Sequence, residues 1–445
     1  MPSTDALSHL RVIDLTRVRA GPTCAKQFAD WGADVIKVEA PATDGDDGFG
    51  PRQGSDFQNL HRNKRSLTLN LKDPRGVEVL KRLVKTADIL VENYRPDVKH
   101  RLGIDYDALA KVNPGLIYAS ISGFGQDGPY RDRAGFDQIA QGMGGLMWVT
   151  GLPGQGPVRA GIPVADLTAG LYAALGILIA LQERARSGKG QWVQSSLLSA
   201  MVAMMDFQAA RWLVEGHVPG QAGNDHPTSI PTGVFPTSDG YVNIAAAGNV
   251  IWTRLCEALG EPSLATQAEY ATGALRSKNR AALNELLAAL TRRHGSSALI
   301  DLLNKAGVPC GPIYKMNEVF DDPQVRHLGM AVPVPRPGGG ELNLVGPAMR
   351  LSRTPARMKR TMGPPESTTR RSCATSATCR PRSRSCGPAR SSEGLQGAKR
   401  DERSETARRA RRTHRLDSVR QSRAPQRDHA RDVARDPAGD GGLRR

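Results

Sequence analysis

The chain has 445 residues, enough for two or three domains, with a formal net charge of +17 and an aromatic fraction of only 5%. Six cysteines, at positions 24, 256, 310, 373, 379 and 386, show no C-x-x-C spacing and no histidine cluster, which argues against a zinc site or a disulfide framework. The charge is uneven: residues 362–445 hold 21 Lys and Arg against 10 Asp and Glu, so the +17 divides into +11 there and a mild +6 elsewhere.

The N-terminal stretch MPSTDALSHLRVIDL has no basic segment followed by an apolar one, so no signal peptide is expected. The longest apolar run, Leu167 to Leu181, is shorter than the ~20 residues of a membrane span. These features predict a soluble cytoplasmic protein without a membrane partner.

Leu10 to Leu15 is a short β-branched run and reads as a first strand. Gly21-Pro22 marks a turn into a helix whose apolar side carries Ala25, Phe28, Ala29 and Trp31. Gly32 ends it, and Asp34 to Val38 reads as a second strand. This is a β-α-β unit with the proportions of a doubly wound sheet, although it carries no GxGxxG. After a Gly- and Asp-rich loop, Ser66 to Leu71 alternates as a strand, and Asp73-Pro74 opens a helix predicted from Arg75 to Thr86. Asp88 to Glu92 and Leu116 to Ile121 read as further strands. Ligands gather at the carboxyl ends of such strands. Arg19, Asn93, Arg95, Ser122 and Gln126 all fall there.

Asp137 to Met147 reads as a Gly-loosened helix. Pro163 to Arg186 follows, with Asp166 at its head and Leu167, Leu171, Leu175, Leu178 and Leu181 at helical spacing among small residues. A helix apolar or small nearly all round is expected to be buried. Asp166 is either a plain N-cap, favoured by the free N–H groups of the first turn, or an anchored carboxylate nucleophile. Its neighbours in sequence do not decide. Gln191 to Gln194 is a short extended segment and Ser195 to Val214 is strongly helical.

The stretch 216–232 is a Gly/Pro/Asn/Asp linker, giving a first block at 1–215. A β-hairpin over Gly233 to Ala245, then helices at Asn249 to Leu259, Lys278 to Thr291 and Ser296 to Lys305, make a smaller α+β domain at 233–325. Residues 326–361 add short strands broken by Gly and Pro. Residues 362–445 have no Phe, Trp, Tyr or Ile and only three Leu, so a disordered basic tail is expected. Such a tail would suit nucleic acid. Another origin is preferred. Back-translating Cys373 to Cys386 with GC-rich codons and reading from the third base permits RDLGYLPAEIAEL, an amphipathic helical segment. A frameshift near residue 362 is therefore expected, and no nucleic-acid partner.

Taken together, RVIDLTRVRAGP (11–22), GADVIKVEAP (32–41), NKRSLTLNLKDPRG (63–76), ADILVENYRP (87–96), RLGIDYDAL (101–109), NPGLIYASISGFGQDGPY (113–130) and ADLTAGLYAALGILIALQERARSGKGQ (165–191) resemble the family III CoA-transferases, the formyl-CoA and carnitine CoA-transferase type. Weaker likeness continues through FPTSDGYVNIAAAGN (235–249), DDPQVRHLGM (321–330) and GPAMRLSRTPA (346–356). The resemblance implies a Rossmann-like large α/β domain with a parallel sheet, a smaller domain, and a return of the chain to the large one. It also implies a homodimer of interlocked rings.

By the same resemblance Asp166 is the catalytic residue of an acyl-CoA:carboxylate CoA-transferase. It would attack the donor thioester to give a mixed anhydride. CoA thiolate would convert that anhydride to an aspartyl-CoA thioester, and the acceptor acid would reverse the sequence. No permanent cofactor is implied; the coenzyme A thioester is a substrate, with a small carboxylic acid as partner. The implied CoA-binding residues are Arg19, Ala20, Leu69, Asn70, Leu71, Lys72, Asn93, Tyr94, Arg95, Arg101, Phe136 and Asp137. Lys72 and Arg101, each taken alone, read equally as solvated surface charges.

Two departures bear on the activity. The racemase branch of the family carries a His where this chain has Phe136, so one racemase acid–base group is missing. Transfer is favoured over the alternative, an acyl-CoA racemase or isomerase. Residues 220–231, GQAGNDHPTSIP, do not match the glycine-rich loop of the formyl-CoA enzymes, which argues against formyl-CoA/oxalate specificity. His226 in that stretch is either a site residue or a surface histidine.

Overall fold

In the computed structural model, which describes residues 5–41 and 51–363, the first half of the chain alternates strands and helices. In order they are β1 (Arg11–Asp14), α1 (Ala20–Asp30), β2 (Asp34–Glu39), α2 (Ser55–His61), β3 (Arg65–Thr68), α3 (Pro74–Val84), β4 (Ile89–Glu92), α4 (Pro96–Leu102), α5 (Tyr106–Ala110) and β5 (Ile117–Ser122). There follow α6 (Asp137–Met143), α7 (Leu146–Val149), α8 (Val164–Ser187), β6 (Trp192–Ser196), α9 (Leu197–Met204) and α10 (Asp206–Glu215).

The six strands form one parallel sheet in the order β3-β2-β1-β4-β5-β6. The chain winds outward from β1 to β3 and then returns to place β4 on the other side of β1. That reversal opens a crevice between the carboxyl ends of β1 and β4. Strand alternation sends neighbours to opposite faces. Val12, Val35, Ile89, Val91 and Ile117 join the core under α1 and α8. Ile13, Ile36, Leu67, Leu90 and Tyr118 join the core on the other face with Leu80, Leu83 and Leu109.

Several boundaries differ from the sequence reading, each for a local reason. β3 ends at Thr68, so Leu69 to Lys72 is a loop that reaches the Asp73 cap. Asp73 accepts the Arg75 N–H at 2.9 Å, and the helix runs from Pro74. Gly21 and Pro22 lie inside the first turn of α1 rather than before it. A Cβ on Gly21 would stand 2.2 Å from Thr16 Cβ, so this turn closes only around glycine. The 195–214 helix is two helices, bent by 77°, with Asp206 at φ +42° beside the break.

α8 departs from expectation most. At 24 residues it is long and apolar enough to cross a bilayer on those two measures, unlike the shorter run counted from the sequence. It is also not buried all round. The small residues Ala165, Ala169, Ala173, Ala174 and Ala180, with Ile177, are buried in the core beside α1. Approach to α1 is so close that a Cβ on Gly170 would lie 2.4 Å from the Ala20 carbonyl oxygen. The leucines point the other way: Leu171, Leu175, Leu178 and Ile179 are exposed, Leu175 by 53% and Ile179 by 61%.

A separate apolar core, built on Phe235, Val242, Ile244, Trp252, Leu255, Leu283, Leu287 and Leu299, lies in the second half of the chain. Its antiparallel sheet comprises β7 (Thr232–Pro236), β8 (Tyr241–Ala245) and β9 (Cys310–Pro312). Helices Asn249–Ala258, Gly273–Lys278, Arg280–Thr291 and Ser296–Lys305 pack around it. A final hairpin, β10 (Ala331–Pro335) with β11 (Glu341–Val345), returns the chain to α1 and α2. There the Asn63 side chain donates to Arg357 O at 2.8 Å and accepts the Lys359 N–H at 2.7 Å. The Met362 N–H donates to Gln58 Oε1 at 3.0 Å and Met362 is buried, so the docked segment runs past 361 to Gly363. The disorder and altered frame expected of the tail concern residues beyond 363, outside the described residues.

Candidate active site

Proline cannot cap a helix with its side chain. α8 begins with Pro163 as N-cap, and Asp166 is the third residue of its first turn, so Asp166 is not the cap. The free N–H groups there are satisfied from another helix. Asp137 Oδ1 accepts the Ala165 N–H at 2.8 Å and the Asp166 N–H at 3.4 Å. Its other oxygen accepts Gln141 Nε2 at 2.6 Å and meets Arg159 Nη2 at 3.5 Å. Gln141, fully buried one turn along α6, donates to Ile162 O at 3.2 Å and accepts the Ala160 N–H at 3.0 Å. The backbone entering α8 is thus gripped at four points by two residues of α6.

Relieved of capping, the Asp166 carboxylate accepts no hydrogen bond among the described residues. Burial raises its pKa to about 6, helped by the neighbouring Asp137 charge and opposed by Arg19. Its place in the first turn of α8 therefore does not hold this group at the ordinary carboxylate value. Above about pH 6 it is ionised, poorly solvated and unbonded. A perturbed, partly desolvated carboxylate of this kind is a candidate functional group.

The two loops flanking the crevice are locked to each other. Asn93 Oδ1 accepts the Arg17 N–H at 2.8 Å and Asn93 Nδ2 donates to Arg17 O at 2.7 Å. The Asn93 amide is committed to this bridge, so it places the loops rather than reaching freely for a ligand. Val18, next in the turn, has φ +60°, a conformation a β-branched residue adopts only when its surroundings impose it. Those surroundings include a buried ion pair. Asp14 accepts Lys64 Nζ at 2.8 Å and holds Thr16 through its N–H at 2.9 Å, while Lys37 Nζ donates to Thr16 O at 2.7 Å. Burial alone would raise the Asp14 pKa, but Lys64 and Lys37 hold it well below the carboxylate range. Arg19 caps α1 by position and pairs with Asp56 at 2.7 Å, and Ala20 is buried at its first turn.

On the β4 side, Glu92 is buried against Lys99 at 2.9 Å and accepts the Tyr94 N–H at 2.8 Å. Lys99 also takes Ser120 at 2.9 Å and Gln126 at 2.5 Å. Gln126, read from sequence as a strand-end site residue, is therefore turned into the protein. Ser122 closes its own loop by accepting the Gly125 N–H at 3.0 Å. Arg95 is exposed as the N-cap of α4.

Leu71, Lys72 and Arg101 come together in a groove of about 280 Å³ beside α3. Lys81 lines the same groove, with Glu78 the one carboxylate among its lining residues. Asn70, just before it, stabilises the turn by accepting the Lys72 N–H at 3.1 Å, and Leu69 packs on the sheet core. Three cations around one carboxylate suit a phosphorylated, nucleotide-like ligand end.

A family model described as CoA-transferase family III matches residues 7–367. The chain belongs to CoA-transferase family III. It is 39% identical over 366 residues to the succinate–glutarate CoA-transferase of Agrobacterium fabrum, covering 80% of this chain and 91% of the relative. It is 39% identical over 356 residues to the succinyl-CoA–D-citramalate CoA-transferase of Chloroflexus aurantiacus, covering 78% of this chain and 88% of that one. A crystal structure of a CAIB/BAIF family protein from Brucella suis superposes with a TM-score of 0.74 at 36% identity, over 84% of this chain and all of the other. The protein is accordingly a transferase that moves CoA between an acyl-CoA and a carboxylic acid.

Within this transferase, sequence reasoning missed Gln141 and Lys81. Gln141 was discoverable as the residue one helical turn after Asp137. Lys81 falls on the α3 face of Pro74, Val77 and Glu78, at helical spacing. Phe136 lies on the surface as the α6 N-cap, 65% exposed. His226 stacks on Phe207 with ring centroids 5.6 Å apart, and its Nδ1 accepts the Thr228 and Ser229 N–H groups. It organises its own loop. Among the described residues no cluster of three or more His, Cys, Asp or Glu could hold a metal.

Proposed function

We propose that Asp166 is the nucleophile of this CoA-transferase and that the acids it handles are small dicarboxylates. The observation that carries the first statement is an unbonded, half-buried carboxylate with a pKa near 6 at the head of α8. In its ionised form an oxygen of Asp166 attacks the donor thioester carbonyl, the C–S bond breaks, and CoA leaves as the thiolate. The product is a mixed anhydride. The thiolate then attacks the aspartyl carbonyl, the donor acid departs as carboxylate, and Asp166 is held as a CoA thioester. An acceptor carboxylate reverses both steps and regains Asp166. Each acylation removes a charge that burial disfavours, so the site favours the covalent states over the free carboxylate.

The groove with Lys72, Lys81 and Arg101 suits the phosphate-bearing end of CoA. The choice of dicarboxylates rests on the relatives, whose names specify succinate, glutarate and D-citramalate. The absence of a His at Phe136 favours transfer over racemisation. The exposed Leu171, Leu175, Leu178 and Ile179 face supports a homodimer, because a contiguous apolar surface of this kind marks a contact. We place the enzyme in the cytoplasm, acting without nucleic acid or membrane.

Incubation with succinyl-CoA followed by borohydride should convert Asp166 to homoserine, read by peptide mass spectrometry. Asp166→Ala should reduce exchange between succinyl-CoA and glutarate to background while the chain stays folded. Full exchange by that variant would refute the nucleophile. Equal use of butyrate and succinate as acceptors would refute the dicarboxylate assignment.

A further inference from the structure

The grip of α6 on the start of α8 has a consequence for the reaction itself. Nothing in the α8 sequence caps its N-terminus, since the residue in that place is Pro163. The cap arrives from Asp137, 28 residues upstream of Ala165, and it is a second carboxylate beside the candidate nucleophile. A neutral side-chain oxygen can also accept N–H groups of a helix's first turn. An acid here caps the helix and also places negative charge beside Asp166. Gln141 holds that acid in place, and both residues are buried.

We propose that Asp137 is a positioning residue for catalysis: it fixes the first turn of α8 and, through its charge, keeps the free Asp166 carboxylate destabilised relative to its acylated forms. This rests on the reading of Asp166 as the nucleophile. The charged groups that act on Asp166 are Asp137 from α6 and Arg19 from the β1–α1 turn. Arg159, on the segment entering α8, pairs with Asp137 at 3.5 Å and partly neutralises it. Repulsion from Asp137 raises the pKa of Asp166, alongside burial. When Asp166 becomes an anhydride or thioester its charge is gone and the repulsion ends, while the cap to Ala165 and Asp166 remains. A cap that did nothing but stabilise the helix would leave the ionisation of Asp166 untouched.

Two variants move the charge in opposite directions. Asp137→Asn keeps an oxygen for the Ala165 N–H and removes the charge. The acid limb of kcat/KM, near pH 6 in the parent, should fall by about one pH unit. The fraction of enzyme trapped by borohydride as the thioester should fall by up to about tenfold. Arg159→Gln, at a half-exposed side chain, unmasks Asp137 and should move the same limb upward. ¹³C NMR titration of the Asp166 carboxyl in aspartate-labelled full-length protein should follow both shifts. An unmoved limb and carboxyl titration in either variant, or shifts of the same sign in both, would overturn the proposal. Should Asp137→Asn fail to fold, Arg159→Gln decides alone. Failure of the nucleophile assignment would be recognised separately, as no borohydride label on Asp166 in the parent enzyme, whatever the two limbs do.

Discussion

The two cores of this transferase solve burial differently. The large sheet encloses three ion pairs almost completely, Asp14–Lys64, Asp30–Arg62 and Glu92–Lys99. The second core, around β7 to β9, is apolar, and its buried charge is Arg276. Among the described residues no carboxylate forms an ion pair with that guanidinium. It is satisfied by the carbonyls of Ile230, Tyr270 and Ala247 and by Asn249 Oδ1, at 2.8 to 3.1 Å. Each pair of the large domain lies under a segment that must keep one shape. Asp14–Lys64 holds the β1–α1 turn, Glu92–Lys99 holds the loop after β4, and Asp30–Arg62 ties α1 to the returning chain through Val345 O. Buried pairs add little stability over an apolar replacement. Two of them, Asp14–Lys64 and Glu92–Lys99, stand at the strand ends that flank the crevice and the third anchors the returning chain, so they serve geometry, whereas the second core is held by packing around one buried guanidinium.

That contrast can be broken by removing one charge from each core. Lys64→Met leaves Asp14 charged and unpaired, and should cost about 3–5 kcal/mol in denaturant unfolding. Arg276→Met leaves neutral acceptors unpaired but no charge, and should cost less, about 1–3 kcal/mol. A larger loss for Arg276→Met than for Lys64→Met would show that the two cores are not held as described.

A smaller effect, of opposite sign, is expected at the site. Asp166 has a folded-state pKa near 6, raised above its unfolded value near 3.8. The folded chain therefore binds this proton more tightly than the unfolded chain. Its contribution to stability is lost as pH rises from about 4 to about 6 and stays lost at neutral pH. Asp166→Asn should accordingly melt a few degrees higher than the parent at pH 7.5, with the gain shrinking to nothing towards pH 4. Equal melting temperatures at pH 7.5 would mean that the carboxylate is not strained in the free enzyme.

Much of the fold was legible in the sequence because it rests on local chemistry. Strand runs such as DVIKV and DILVE, the Asp73-Pro74 helix start and the hairpin at Ser238 to Gly240 are short-range signals, and the structure places an element at each. Of the candidate site, Asp166 was visible as a lone carboxylate before a long apolar helix. Leu71, Lys72 and Arg101 were visible only through motifs, and the groove that joins them includes Lys81, a residue those motifs passed over.

The amino-acid order by itself determined the βα alternation, the apolar periodicity of α8 and the presence of a carboxylate at its head. Tertiary structure alone decided which face of α8 is buried. Small residues can approach α1 closely and leucines cannot, so the alanine face went inward and the leucine face outward. Tertiary structure also decided that Asp166 is not the cap of its helix. Its local sequence offered an N-cap or a nucleophile, and the capping oxygen is supplied by Asp137 from another helix. A contact between elements 28 residues apart leaves no trace in local periodicity, and desolvation exists only once the elements have packed.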